Sequence, residues 1–123
     1  MPGQRKGNIM GQTESQPESP GNITEAAGIL EIALLDIRPG QTARFTRAMA
    51  EALPLIRRQP GCHGASLRPC LENPRRYLLQ VYWARLTDHD PGFRQSADYR
   101  RWRALLHGFY EPFPTVEHYG PPL

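Results

Sequence analysis

The chain has 123 residues, 39% of them hydrophobic and 22% charged, and a formal net charge of +3. That length allows one domain with a single core, and the weak, scattered positive charge lacks the basic stripe that nucleic-acid binding needs. No apolar run approaches the length of a membrane-spanning helix, and Arg5-Lys6 lead into Gly, Gln, Ser and Pro instead of the apolar core of a signal peptide, so the expected location is the cytoplasm.

Residues 1–27 are rich in Gly, Gln, Ser, Pro and Glu. They cannot bury enough apolar surface to offset the entropy of ordering, so a disordered leader is expected, with the folded domain over 28–123. The Asn22-Ile23-Thr24 sequon in that leader would matter only in a secreted protein. Order begins with the apolar run Ile29 to Ile37, stopped by Pro39-Gly40, which reads as a strand covered on both faces with Glu31 and Asp36 as exceptions. From Gln41 to Gln59 the period changes. Phe45, Ala48, Met49, Ala52, Leu53 and Ile56 fall on one helical stripe, with Arg44, Arg47, Glu51 and Arg58 off it. Pro60-Gly61 ends this helix, and Pro54 inside it is expected to kink the last turn.

Gly64 to Arg68 forms a short strand, Leu71-Glu72-Asn73-Pro74 a turn, and Arg76 to Trp83 a second strand, the pair reading as an antiparallel hairpin. Tyr77, Leu79, Val81 and Trp83 point to one face of that second strand, and Leu78, Gln80 and Tyr82 to the other. Cys62 and Cys70 flank the first strand, roughly 26 Å apart if extended, so two free thiols are expected. Neither matches zinc-ligand spacing with His63. A helical turn broken by Pro91-Gly92 occupies Thr87 to Gln95. Ser96 then caps a helix whose buried stripe is Tyr99, Trp102, Leu105, Leu106 and Phe109, and Thr115 to Tyr119 is the last strand.

The order is β-α-β-β-α-β, an α+β ferredoxin-like arrangement with a four-stranded antiparallel sheet and both helices on one face. The other face keeps apolar side chains. A second copy of the chain is the economical cover, so a homodimer is expected.

Pro60-Gly61-Cys62-His63-Gly64, Leu71-Glu72-Asn73-Pro74-Arg75-Arg76-Tyr77, Tyr82-Trp83, Phe93-Arg94-Gln95-Ser96, Tyr99-Arg100-Arg101-Trp102-Arg103 and Pro114-Thr115-Val116-Glu117-His118-Tyr119, in that order and spacing, resemble the antibiotic biosynthesis monooxygenase domain over about residues 29–120. The resemblance implies a dimeric α/β barrel. It also implies a monooxygenase that works without a cofactor on an aromatic or polyketide-like molecule and molecular oxygen in secondary-metabolite biosynthesis. Relatives of the same fold degrade haem, and a dimer that binds a small molecule without redox chemistry fits the same residues. In the quinone-forming members an asparagine and a tryptophan with a nearby histidine are implicated. Trp83 matches the strand-end tryptophan, while Asn8, Asn22 and Asn73 all fall outside the expected strands and leave the asparagine without a counterpart.

Oxygenation without a cofactor needs a base to make an electron-rich anion, an apolar pocket that excludes water, and donors to hold the anion. His89, in the loop after Trp83, is the leading base, with Trp83 beside it as the second catalytic residue. Arg94 is placed to hold an anionic oxygen, Tyr82 or Gln80 to orient it, and Phe93 to line the pocket. Tyr99 and Trp102 are assigned to the core, His107 to a helix end, and His118 to structure or the dimer interface. The chain shows no nucleophile–base pair, phosphate loop or clustered metal ligands in its linear spacing, so neither metal nor cofactor is expected.

Overall fold

The computed structural model describes residues 28–123, and the expected leader lies outside the described residues. The elements are β1 (Ile29–Asp36), α1 (Thr42–Arg57), β2 (Cys62–Pro69), β3 (Arg76–Trp83), α2 (Ala97–Leu106) and β4 (Val116–Tyr119). An irregular helical turn over Asp88–Phe93, broken at Asp90 (φ −137°, ψ 110°), fills the connection into α2. β2 is longer than its sequence pattern indicates because a register shift between Cys62 and Gly64 lets pairing continue past the glycine. Both cysteines are free thiols.

The four strands form one antiparallel sheet in the order β2-β3-β1-β4. This is the ferredoxin-like topology, with β1 and β3 central. Strand alternation sends Ala33, Leu35, Leu79, Val81 and Trp83 to the inner face, where they are buried. Against them pack Phe45, Met49, Ala52, Leu55 and Ile56 of α1 and Trp102 and Leu106 of α2. Each such side chain contributes about 1.5–3 kcal/mol by leaving water, so the inner face drives folding. The outer face differs from the reading of β1 as covered on both sides. Leu30 and Ile32 are half-buried and Leu34 is 50% exposed, because both helices lie on the inner side.

α1 continues through Pro54 to Arg57. Its C-terminal end is tied to the start of α2, where Arg58 Nε and Gln59 Nε2 each donate to Asp98 Oδ2 at 2.8 Å. Ser96 caps α2 as expected, its Oγ accepting the Tyr99 N–H at 3.1 Å.

Gly61 makes the turn between α1 and β2 with φ of 81°. A Cβ there would stand 2.2 Å from Asp88 Oδ2. The same carboxylate accepts the Arg85 N–H at 2.9 Å and so shapes the segment leading to His89. Gly61→Ala is therefore expected to lower stability by about 1–2 kcal/mol through the positive φ and the displaced Asp88, seen as a lower thermal midpoint.

Candidate functional site

The site begins with sheet register. Val81 pairs with Glu31 and Glu31 with His118, so the three lie in one row across the inner face of β3, β1 and β4. Trp83, two residues beyond Val81, is fully buried and donates its indole N–H to Glu31 Oε1 at 2.8 Å. The irregular turn after β3 folds back over this corner and stacks the His89 ring on Trp83, with centroids 5.5 Å apart and planes 16° from parallel. His89 then has a different partner at each ring nitrogen. Nε2 lies 3.6 Å from Glu31 Oε1, and Nδ1 lies 2.8 Å from His118 Nε2. Glu31 is 3% and His89 4% exposed, while His118 reaches solvent at the sheet edge.

Burial dominates the electrostatics. Removal from water pushes the Glu31 carboxyl up to about 7, against the opposing pull of the Trp83 N–H and the Arg94 charge. Burial, then the neighbouring His118 and Arg94, pushes His89 down to about 4. His118 is lowered by burial and by Arg94. Near neutrality the Glu31 carboxyl is therefore poised between its protonated and ionised forms, beside a neutral His89.

Glu31 and His89 form one end of a pocket of about 200 Å³ between the sheet and the helices. It is lined by Ala33, Leu35 and Leu79 from the sheet, by Phe93, Tyr99 and Trp102, and by Tyr110, Phe113 and Pro114 from the segment before β4. The aromatics interlock edge-on, with Phe93 centroids 5.3 Å from Tyr99 and 5.5 Å from Trp102. Arg94 enters the pocket with its guanidinium 5.8 Å from the Tyr99 ring centre. Among the described residues it has no carboxylate within ion-pair distance. His107 lines the same cavity, and burial holds its pKa down.

Of the residues singled out in the sequence, His89, Phe93 and Arg94 line this pocket. Trp83 stands behind it and reaches it through Glu31, His89 and Phe93, which line the pocket. Tyr82 and Gln80 do not belong to it. Strand alternation places them on the outer face, where Gln80 Oε1 accepts the Arg68 Nε–H at 2.8 Å. Tyr99 and Trp102, assigned to the core, are core and pocket wall at once. His118, assigned to structure or an interface, is hydrogen-bonded to His89. Glu31 was missed as a functional residue. Its signal was present: a carboxylate on the same strand parity as Ala33 and Leu35, in a run with no neighbouring cation to pair it.

An apolar cleft carrying a buried acid near neutrality and a guanidinium without a carboxylate partner among the described residues suits a flat organic molecule with an ionisable oxygen. The sequence profile of the family described as antibiotic biosynthesis monooxygenase matches residues 28–105, spanning Glu31, Trp83, His89 and Arg94 and stopping short of His118. The uncharacterized protein YczJ of Bacillus subtilis (strain 168) is 46% identical over 91 residues, covering 74% of this chain and 96% of that protein. A Bordetella bronchiseptica protein provisionally assigned as an antibiotic biosynthesis monooxygenase has a crystal structure similar to this one, at 41% identity and a TM-score of 0.74 over 78% of this chain and 99% of that one. A conserved protein from Methanosarcina mazei Go1 shares the fold alone, at 17% identity and a TM-score of 0.71 over 82% of this chain and 99% of that one. The chain belongs to the antibiotic biosynthesis monooxygenase family.

Proposed function

We propose that the protein is a cofactor-independent monooxygenase that converts an aromatic, polyketide-type phenol to a quinone in secondary-metabolite biosynthesis, working as a homodimer. The observation that carries this reading is the pocket itself, lined by a buried carboxyl, a guanidinium and aromatic rings in a chain of this family. The apolar walls bind the rings and exclude water, and Arg94 holds the phenolic oxygen as its negative charge develops. Glu31 takes the phenolic proton in the role first given to His89. The neutral His89 accepts that proton onward at Nε2 and hands its Nδ1 proton to His118 at the solvent edge.

The phenolate then gives one electron to molecular oxygen, and the resulting radical pair joins at a ring carbon that bears hydrogen. That carbon loses its proton as the O–O bond breaks. One oxygen atom stays as the new carbonyl and the other leaves as water, so phenol and O₂ give quinone and H₂O. A second copy of the chain covers the outer sheet face around Leu34.

Chelator-treated protein supplied with hydroxylated polycyclic aromatics is expected to consume one O₂ for each quinone formed, read with an oxygen electrode and by quinone absorbance. Tight binding of these phenols with no oxygen consumed would instead identify a binding protein that uses the same pocket without redox chemistry.

A further inference from the structure

We propose that Glu31, His89 and His118 also form a binding site for a divalent first-row transition metal, and that occupancy of this site switches off the base. One donor atom from each of the three lies within 4.8 Å of the other two. Two imidazoles and one carboxylate are a ligand set that suits zinc, cobalt, nickel or ferrous iron and leaves further coordination positions open. The three come from β1, β4 and the turn after β3, so no linear motif announces them.

The second observation concerns Glu31. It is 3% exposed, and among the described residues its one hydrogen-bond donor is Trp83, on Oε1, which leaves Oε2 buried with nothing to accept. A buried carboxylate with one donor for its several lone pairs is costly, and a cation beside Oε1, the oxygen 3.6 Å from His89 Nε2, would supply a further partner. The Trp83 indole would then orient the ligating carboxylate from outside the coordination shell. Donors about 2.0–2.3 Å from a metal lie roughly 3–4 Å from one another, so a set within 4.8 Å needs at most about an ångström of adjustment. His118 can supply that movement, because it sits on the exposed edge strand. His89 must commit one ring nitrogen to the metal, which breaks its bridge between Glu31 and His118. A carboxylate bound to a metal no longer accepts the substrate's proton. The inhibitory half of the proposal therefore rests on the oxygenase reading, and the binding half does not.

The test titrates chelator-stripped, full-length protein with Co²⁺ and follows the d–d absorption of the bound ion, which needs no turnover. One Co²⁺ per chain with saturable binding is expected. Glu31→Gln and His118→Ala should each weaken binding at least tenfold, and Zn²⁺ should displace the cobalt. His118 is exposed, so its alanine variant tests the site in a folded protein. The absence of saturable Co²⁺ binding, or binding that His118→Ala leaves unchanged, overturns the site. In protein that oxidises phenols, oxygen uptake should fall as the cobalt signal saturates. Uptake that is unchanged or rises overturns the inhibitory half alone.

Discussion

Replacing Glu31 with glutamine is expected to lower phenol oxidation by about two to four orders of magnitude, the usual contribution of a positioned general base, while making the fold more stable at pH 8. The two effects have one origin. In the unfolded chain this carboxyl ionises near its ordinary value of 4.5, and in the folded protein only near 7. Between those values the folded state holds a proton that the unfolded state has released, so stability falls as pH rises across that window. By pH 8 the whole difference has been lost, up to about 3 kcal/mol for the metal-free protein. Glutamine has the same shape, can still accept the Trp83 N–H, and never ionises.

His89 contributes with the opposite sign. Its folded pKa near 4 lies below the ordinary 6.5, so its contribution to stability grows as pH rises from about 4 to 6.5. The parent should therefore have a flat stability profile over much of that range, because the two slopes oppose each other. Glu31→Gln should show the rising His89 limb alone. Urea unfolding at pH 5 and pH 8, beside oxygen uptake, measures both halves. Equal stability of parent and variant at pH 8 would mean that the buried carboxylate is not a cost to this fold.

Trp83→Ala is expected to cost about 3–5 kcal/mol, a large share of a small domain's total stability. The indole is fully buried, packs against Phe93 at 6.3 Å between centroids and carries the stacked His89 ring. Trp83→Phe separates the packing role from the polar one. It keeps most of the apolar bulk and removes the N–H that holds Glu31 down, so the carboxyl should rise further above 7. Activity that depends on ionised Glu31 grows with pH through that value. Its acid limb should therefore move to higher pH in Trp83→Phe, with a smaller loss of stability than in Trp83→Ala. A pH–rate profile with an unmoved acid limb would show that the Trp83–Glu31 hydrogen bond does not tune the base.

The fold was readable because it rests on local periodicity. Phe45, Met49, Ala52 and Ile56 mark α1, Ser96 marks the start of α2, and Pro60-Gly61 and Pro39-Gly40 mark turns where they occur. Part of the site was readable in the same way, since His89, Phe93 and Arg94 sit together in one loop. Glu31 and His118 were harder to find. Their partnership is a matter of strand register, and register pairs residues far apart in the chain through backbone hydrogen bonds that side-chain patterns do not encode directly. Tyr82 and Gln80 were named as groups to orient an oxygen held by Arg94. Adjacent residues on a strand face opposite ways, so the same pattern that identified β3 also excludes Tyr82.

β4 has four residues, pairs on one side only, and carries His118 at the outer edge of the sheet. Amide hydrogens at such an edge exchange through local opening that costs far less than global unfolding, while those of β1 and β3 report the whole core. The segment that leads into β4 supplies Phe113, Pro114 and Val116 to the pocket. Lifting of this edge would separate His118 from His89 and displace one side of the pocket, with the helices and the three other strands still packed. Hydrogen exchange over residues 116–119 would report that local opening, and a ligand seated against Phe113, Pro114 and Val116 would slow it.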